Sequence, residues 1–209
     1  LVKHQIKLLI VACNTASAVA IESLKQHFDI PILGVIEPGA QSAAKQARHK
    51  VGVIATESTI NSQRYPLLIK RYKPELEVYS RACPLFVPLA EEGLIDHPAT
   101  QLIAQEYLQP LLEAKIDTLV LGCTHYPILT QSLKAICGGS INIIDSAKVV
   151  AQTTADILNA KNHLTTERRQ PNKIFVTDDN SRFHRVGKAF FGSELPDVQW
   201  VDLSSPETQ

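Results

Sequence analysis

The 209-residue sequence contains no methionine. A natural reading frame opens with one, and residues 1–6 read as the tail of something already folded, running straight into a strand. The chain is therefore expected to lack an N-terminal segment. Net charge is absent as well: 21 lysines and arginines balance 21 aspartates and glutamates. Such a balance gives no electrostatic case for a nucleic-acid or anionic-membrane partner. Long apolar runs are missing. The longest, such as 8–12 and 118–122, are far shorter than a bilayer span. No basic start, apolar stretch and cleavage site mark a signal peptide. No C-x-x-C occurs, and the four cysteines, Cys13, Cys83, Cys123 and Cys137, lie 70, 40 and 14 residues apart. Those spacings fit neither a zinc finger nor a zinc ribbon, so no metal is expected. Disulfides belong to small, core-poor secreted chains. Here 44% of residues are apolar and 20% charged, the profile of a globular protein.

What is present is a regular alternation of short apolar runs and helix-type stretches. Lys7 to Cys13 reads as a buried strand. Asn14 is placed to cap a helix whose apolar face is Val19, Ile21, Leu24 and Phe28. Pro31 ends it, and Ile32 to Ile36 reads as a strand. Pro38 suits the first turn of a helix to about Gln46. Strands are predicted at Lys50 to Ala55, Leu76 to Cys83, Thr118 to Gly122 and Ile141 to Ile144. Helices are predicted at Thr59 to Tyr72 (irregular at Pro66), from Pro84 to near Gly93, at Ala99 to Ala114, after Pro127, and at Ala147 to Leu158. A polar surface loop over 161–171 leads to a strand at Lys173 to Thr177, a helix at Asn180 to Phe191 and a last strand at Val198 to Leu203. This order implies an α/β fold of parallel sheets with helices on both faces. Ligands then bind beyond the carboxyl ends of the strands.

Two of those strand ends look alike. One reads Ile10-Val11-Ala12-Cys13-Asn14-Thr15, the other Leu121-Gly122-Cys123-Thr124-His125-Tyr126-Pro127. Each is an apolar strand, a small residue, a cysteine, and polar residues opening a helix, about 110 residues apart. A cysteine at a helix N-terminus faces unpaired N–H groups and the positive end of the helix dipole, which lower its pKa. The same amides suit a substrate carboxylate, and Asn14, Thr15 and Thr124 add donors. His125 is placed to hydrogen-bond a substrate group or polarise the thiol. One such turn alone would read as a buried cysteine filling a strand end; two of them, each followed by donors, favour a site. Cys83 and Cys137 lack the polar followers and read as structural.

V-A-C-N-T-A-S-A at 11–18 and G-C-T-H-Y-P at 122–127 closely resemble the two signature motifs of glutamate racemases. So do G-V-I-E-P-G-A at 34–40, V-G-V-I-A-T-E-S-T-I at 51–60, A-C-P-L-F-V-P-L-A-E-E-G at 82–93 and V-T-D-D-N-S-R-F at 176–183. The resemblance implies two doubly wound α/β domains related by a pseudo-two-fold axis, the first from 1–36 with 146–209 and the second from 37–145. It implies no cofactor and a small-molecule substrate, glutamate. Nucleic acid and membrane are not partners on this reading, and a homodimer is left open. One cysteine thiolate removes the α-proton and the other thiol returns one on the opposite face. Cys13, Cys123, Glu91 and His125 carry the proton chemistry on this resemblance. Asn14, Thr15, Thr124 and His125 hold the substrate, helped by Thr56 and Thr59. The product, D-glutamate, implies a bacterial cytoplasm and peptidoglycan supply. The family's opening D-S-G-x-G-G turn and a later Tyr-Gly pair have no counterpart here, so weak or no turnover is expected of this chain itself. The rival readings are an aspartate or hydantoin racemase, a non-catalytic binding protein on the same scaffold, and a thiol redox sensor. The last is disfavoured by the lack of a resolving C-x-x-C.

Overall fold

The computed structural model describes residues 1–165, 167, 171–178 and 180–203. By its contacts the chain falls into two compact units, Leu1–Ala90 with Leu94–Leu164, and Glu91–Gly93 with Thr165–Gln209.

The first unit opens with a 3₁₀ turn, Val2–His4, and strand β1 (Leu9–Val11). Helix α1 (Asn14–His27), strand β2 (Ile32–Gly34) and helix α2 (Ile36–Gln46) follow. Then come β3 (Lys50–Ala55), α3 (Glu57–Asn61), α4 (Arg64–Tyr72), β4 (Glu77–Ala82), α5 (Phe86–Glu91) and α6 (Pro98–Glu113). β5 (Thr118–Gly122) leads through a 3₁₀ turn, Tyr126–Leu129, into α7 (Thr130–Cys137), β6 (Asn142–Asp145) and α8 (Ser146–Ala160). β1 and β2 form a parallel pair, and a four-stranded parallel sheet runs β4-β3-β5-β6. The second unit holds β7 (Ile174–Val176), α9 (Asn180–Phe191) and β8 (Val198–Trp200), its two strands again parallel. The α/β, all-parallel reading of the sequence is thus what the chain adopts.

Both faces of the four-stranded sheet are covered, which is why β3 and β5 are continuous apolar runs. On one face Ile54, Leu119 and Leu121 pack with Phe86, Leu108, Leu111, Leu129 and Leu133. On the other, Val51, Val53 and Val120 pack with the alanines of α2 and with Tyr65 and Ile69 of α4. Ala40, Ala43, Ala44 and Ala47 recur at helical spacing and are buried, so their small side chains bring α2 close to the strands. Asp117 closes the amino end of the sheet. Its carboxylate accepts from the N–H groups of Arg48, His49 and Lys50 at 3.1, 2.7 and 2.9 Å, tying the start of β3 to β5.

Four local expectations are corrected. The strand predicted at Lys7 to Cys13 is only Leu9–Val11 and is not buried, with Ile10 38% exposed; among the described residues it pairs along one edge only, with β2. The α1 face is not wholly apolar-in: Val19 and Phe28 are exposed, and Asn14, Ser17 and Ala18 are what the helix buries. The helix predicted from Thr59 to Tyr72 breaks at Gln63, whose φ of +55° places it in the left-handed region, ahead of Pro66. The segment after Cys123 begins as a 3₁₀ turn, with the α-helix starting only at Thr130. The polar loop predicted over 161–171 and the motif at 176–183 lie partly outside the described residues.

Candidate active site

The parallel register builds the site. Ala55 pairs with Ala82 and with Gly122, so Thr56, Cys83 and Cys123 stand side by side just past the carboxyl ends of β3, β4 and β5. The amino end of α1 is brought to the same edge by hydroxyl contacts. Thr15 Oγ1 lies 2.9 Å from Thr56 Oγ1 and 3.2 Å from Thr59 Oγ1, and Thr56 and Thr59 are 3.1 Å apart. Thr56 is also the N-cap of α3, accepting from the Thr59 N–H. Three of the sequence-predicted substrate residues therefore form one hydroxyl cluster, with Cys13 two residues from its first member.

Cys13 occupies the N-cap position of α1 and is exposed, with its carbonyl accepting from the Ser17 N–H at 2.8 Å. Asn14 is not the cap that the sequence suggested. It is the first helical residue, and its Oδ1 accepts a 2.8 Å hydrogen bond from the hydroxyl of Tyr65 instead. Ser17 steadies this end of the helix by donating to the Val11 carbonyl at 2.7 Å and accepting from the Val35 N–H at 3.2 Å.

Cys123 differs from Cys13 in environment. It is 6% exposed and joins the apolar cluster of Phe86, Leu121 and Tyr126. The sequence argument expected its thiol pKa to be lowered; it is raised. Burial is the largest cause, and the negative charge of Cys13 adds to it, against backbone N–H donation from His125 and Tyr126. Two backbone donors at a four-residue 3₁₀ turn do not outweigh loss of water around a thiolate. A thiolate at Cys13 is thus among the causes that raise the Cys123 thiol, although the two residues lie 110 apart in sequence. His125 is half-buried, with Nδ1 3.8 Å from Cys123 Sγ. Thr124 is exposed and lines a largely apolar groove of about 440 Å³ together with Ala12, Val35, Pro127, Ser146 and Val150. Each cysteine thus has an immediate neighbour in the wall of that groove.

Glu91 belongs to the second unit, where its carbonyl accepts from Arg185 at 3.2 Å. Cys83 and Cys137 are buried, and burial pushes their thiols up to about 12 and about 11, as suits structural residues. Among the described residues, no group of three or more His, Cys, Asp or Glu side chains is placed to hold a metal ion. No helix among them is long and apolar enough to cross a membrane.

Sequence reasoning missed Tyr65. It falls inside the helix predicted at Thr59 to Tyr72, and nothing local announces a partner 51 residues away.

The sequence profile of the Asp/Glu/Hydantoin racemase family matches residues 1–154, and the chain belongs to that family. Its near relatives narrow the likeness. The chain is 51% identical over 207 residues to the glutamate racemase of Geobacter metallireducens, spanning 98% of this chain and 77% of that protein. Its structure is similar to that of a glutamate racemase isoform of Bacillus anthracis, with a TM-score of 0.90 at 37% identity over 95% of this chain and 74% of the other. It is similar also to the glutamate racemase of Francisella tularensis, solved in complex with D-glutamate, with a TM-score of 0.89 at 35% identity over 97% and 76% of the two chains.

Proposed function

We infer that this chain is a glutamate racemase, a cofactor-independent isomerase that inverts the α-carbon with two cysteines, Cys13 and Cys123. Relatives that span nearly all of the chain are glutamate racemases, which favours glutamate over the aspartate and hydantoin alternatives. The observation that carries the two-cysteine assignment is the gathering of the α1 amino end onto the strand ends. Thr15, two residues after Cys13, meets Thr56 and Thr59 there, and the register of β3 and β5 sets Thr56 beside Cys123.

In this reading the substrate α-carbon lies between the sulfurs. One thiolate takes the α-proton, the electron pair stays on the α-carbon as a carbanion, and the opposite thiol supplies a proton to the other face. The first sulfur ends as thiol and the second as thiolate, so proton and charge balance. The hydroxyls of Thr15, Thr56, Thr59 and Thr124 and the amide of Asn14 bind substrate, and fixed donors stabilise the charge that develops at the α-carboxylate. Each cysteine is the base for one enantiomer and the acid for the other, so the same pair serves both directions of the reaction. His125, whose Nδ1 lies 3.8 Å from Cys123 Sγ, and Glu91 are the auxiliary acid–base groups.

Residues 1–36 with 146–209 form one domain of this enzyme and 37–145 the other. The four strands β3 to β6 all fall inside 37–145, whereas the pairs β1-β2 and β7-β8 fall outside it. D-glutamate as product places the enzyme in a bacterial cytoplasm supplying peptidoglycan, as a monomer or homodimer.

The test is α-proton exchange in D₂O, followed by NMR from each enantiomer. Cys13→Ala and Cys123→Ala are each expected to abolish racemisation. Racemisation that survives either substitution at a wild-type rate refutes the assignment.

A further inference from the structure

We infer that Tyr65 is a positioning residue for the racemisation site, orienting the amide of Asn14 so that its nitrogen is presented for substrate. This rests on the reading above in which Asn14 binds glutamate.

Three observations converge. Asn14 is 2% exposed at the first position of α1, next to Cys13, yet its Nδ2 has no hydrogen-bond partner. A buried amide nitrogen left without a partner loses its hydration with nothing in return, so such a group in a folded chain calls for an explanation. The opposite end of the same amide is held: Tyr65, 1% exposed, donates its hydroxyl to Asn14 Oδ1 at 2.8 Å. A buried phenol must place its proton on an acceptor, and the amide oxygen is the acceptor within reach. That choice turns Nδ2, with both its N–H groups, away from Tyr65.

The phenol itself has little freedom. A Cβ built on Gly122 would lie 3.1 Å from Tyr65 Cε2, and one on Gly39 would lie 3.2 Å from Tyr65 Oη. Glycine at both positions makes room for the ring and hydroxyl. Burial, and then the charge of Cys123, push the Tyr65 phenol well above its ordinary pKa, so it remains a proton donor while the thiols change state. A fixed donor holding one end of an amide, with the other end unpartnered on the residue that follows Cys13, matches a recognition group oriented before substrate arrives. The ligand it suits is an anionic or carbonyl oxygen, such as a carboxylate of glutamate.

A double-mutant cycle on kcat and KM tests the assignment. Tyr65→Phe keeps the ring and removes the hydroxyl. It is expected to raise KM for both enantiomers about tenfold, with kcat changed far less, since the loss is of substrate binding. In an Asn14→Ala background the same Tyr65→Phe change is expected to shift KM less than about twofold. If Asn14→Ala leaves kinetics at the wild-type level, the substrate-binding reading of Asn14 falls, whatever Tyr65 does. If Asn14→Ala impairs the enzyme but Tyr65→Phe has no effect, the same effect in both backgrounds, or a loss of kcat at constant KM, the positioning role is overturned. Should Tyr65→Phe not fold, the wild-type chain labelled with 3-fluorotyrosine decides. The Tyr65 fluorine resonance is expected to move on saturation with D-glutamate, and no movement overturns the proposal.

Discussion

Adding one methyl group at Gly122 is the sharpest perturbation of this site. A Cβ there would stand 2.9 Å from the Ile54 carbonyl oxygen, 3.0 Å from Ala55 Cβ and 3.1 Å from Tyr65 Cε2. Each lies roughly half an ångström inside the ordinary contact range that begins near 3.5 Å. Two of the three atoms belong to β3, the paired neighbour of β5 in the centre of the sheet, so relief requires moving a strand rather than swinging a side chain. Overpacking of this kind destabilises by about 1–3 kcal/mol. For a chain of this size that lowers Tm by about 2–12 °C. Cys123 is the next residue and Tyr65 the third contact, so the displacement reaches the reacting sulfur and the phenol together. A shift approaching 1 Å lowers the rate by up to about a hundredfold. Differential scanning calorimetry and the D₂O exchange assay on Gly122→Ala measure the two effects. Gly139→Ala is the control: its Cβ would meet nothing within 4 Å, and a near-wild-type result is expected. A Gly122→Ala enzyme with wild-type Tm and rate, or an equally damaged Gly139→Ala, refutes the reasoning.

Asp117→Ala removes the acceptor of three backbone N–H groups and of the Thr118 hydroxyl, and about 2–3 kcal/mol of stability is expected to go with it, read as a lower urea midpoint. Burial alone would raise the Asp117 carboxyl, but those donors outweigh it and hold its pKa below the ordinary aspartate value. Its contribution is therefore present above the unfolded pKa near 3.9 and lost as pH falls through the lower folded value; the gap between wild type and Asp117→Ala should narrow on acidification below about pH 4. Burial pushes Cys83 up to about 12 and Cys137 to about 11. Raised thiols contribute stability fully present below their unfolded pKa near 8.5 and lost as pH climbs through the folded values. The urea midpoint is expected to fall between pH 8 and pH 10, and less steeply in Cys83→Ala. Alkylation of the native chain with iodoacetamide, read by mass spectrometry, is expected to mark the exposed Cys13 first and to leave Cys83 and Cys137 unmodified until unfolding. Equal labelling of all four would contradict the burial described.

Much of the architecture was legible because burial and chain periodicity agree. β3 and β5 fall where the continuous apolar runs put them, and α6 where its periodicity does. The two cysteine turns were legible because each places unusual chemistry directly after a strand. What was hidden is what depends on neighbours remote in sequence. The turn at Gln63 uses a positive φ in a residue other than glycine, so Pro66, three residues on, signals an irregularity without showing where the helix breaks. The state of Cys123 was misjudged because a helix-end argument counts local N–H groups, whereas burial by Phe86 and Tyr126 is set by the whole sheet. Tyr65 was invisible for the same reason: its hydroxyl partner lies on a helix two strands earlier in the chain.

The strand order β4-β3-β5-β6 also has a consequence for synthesis. β3 lies in the centre of the sheet, but one of its two partners, β5, comes late: Val51 pairs with Thr118, 67 residues further on. At bacterial or eukaryotic elongation rates of about 5–20 residues per second, that stretch takes on the order of 3–13 s to translate. During that interval β3 has only β4 beside it, and the edge later filled by β5 stays open. A nascent chain of this kind is most vulnerable to wrong pairing and to chaperone capture in the window before residue 122 leaves the ribosome, well before the last helix is made.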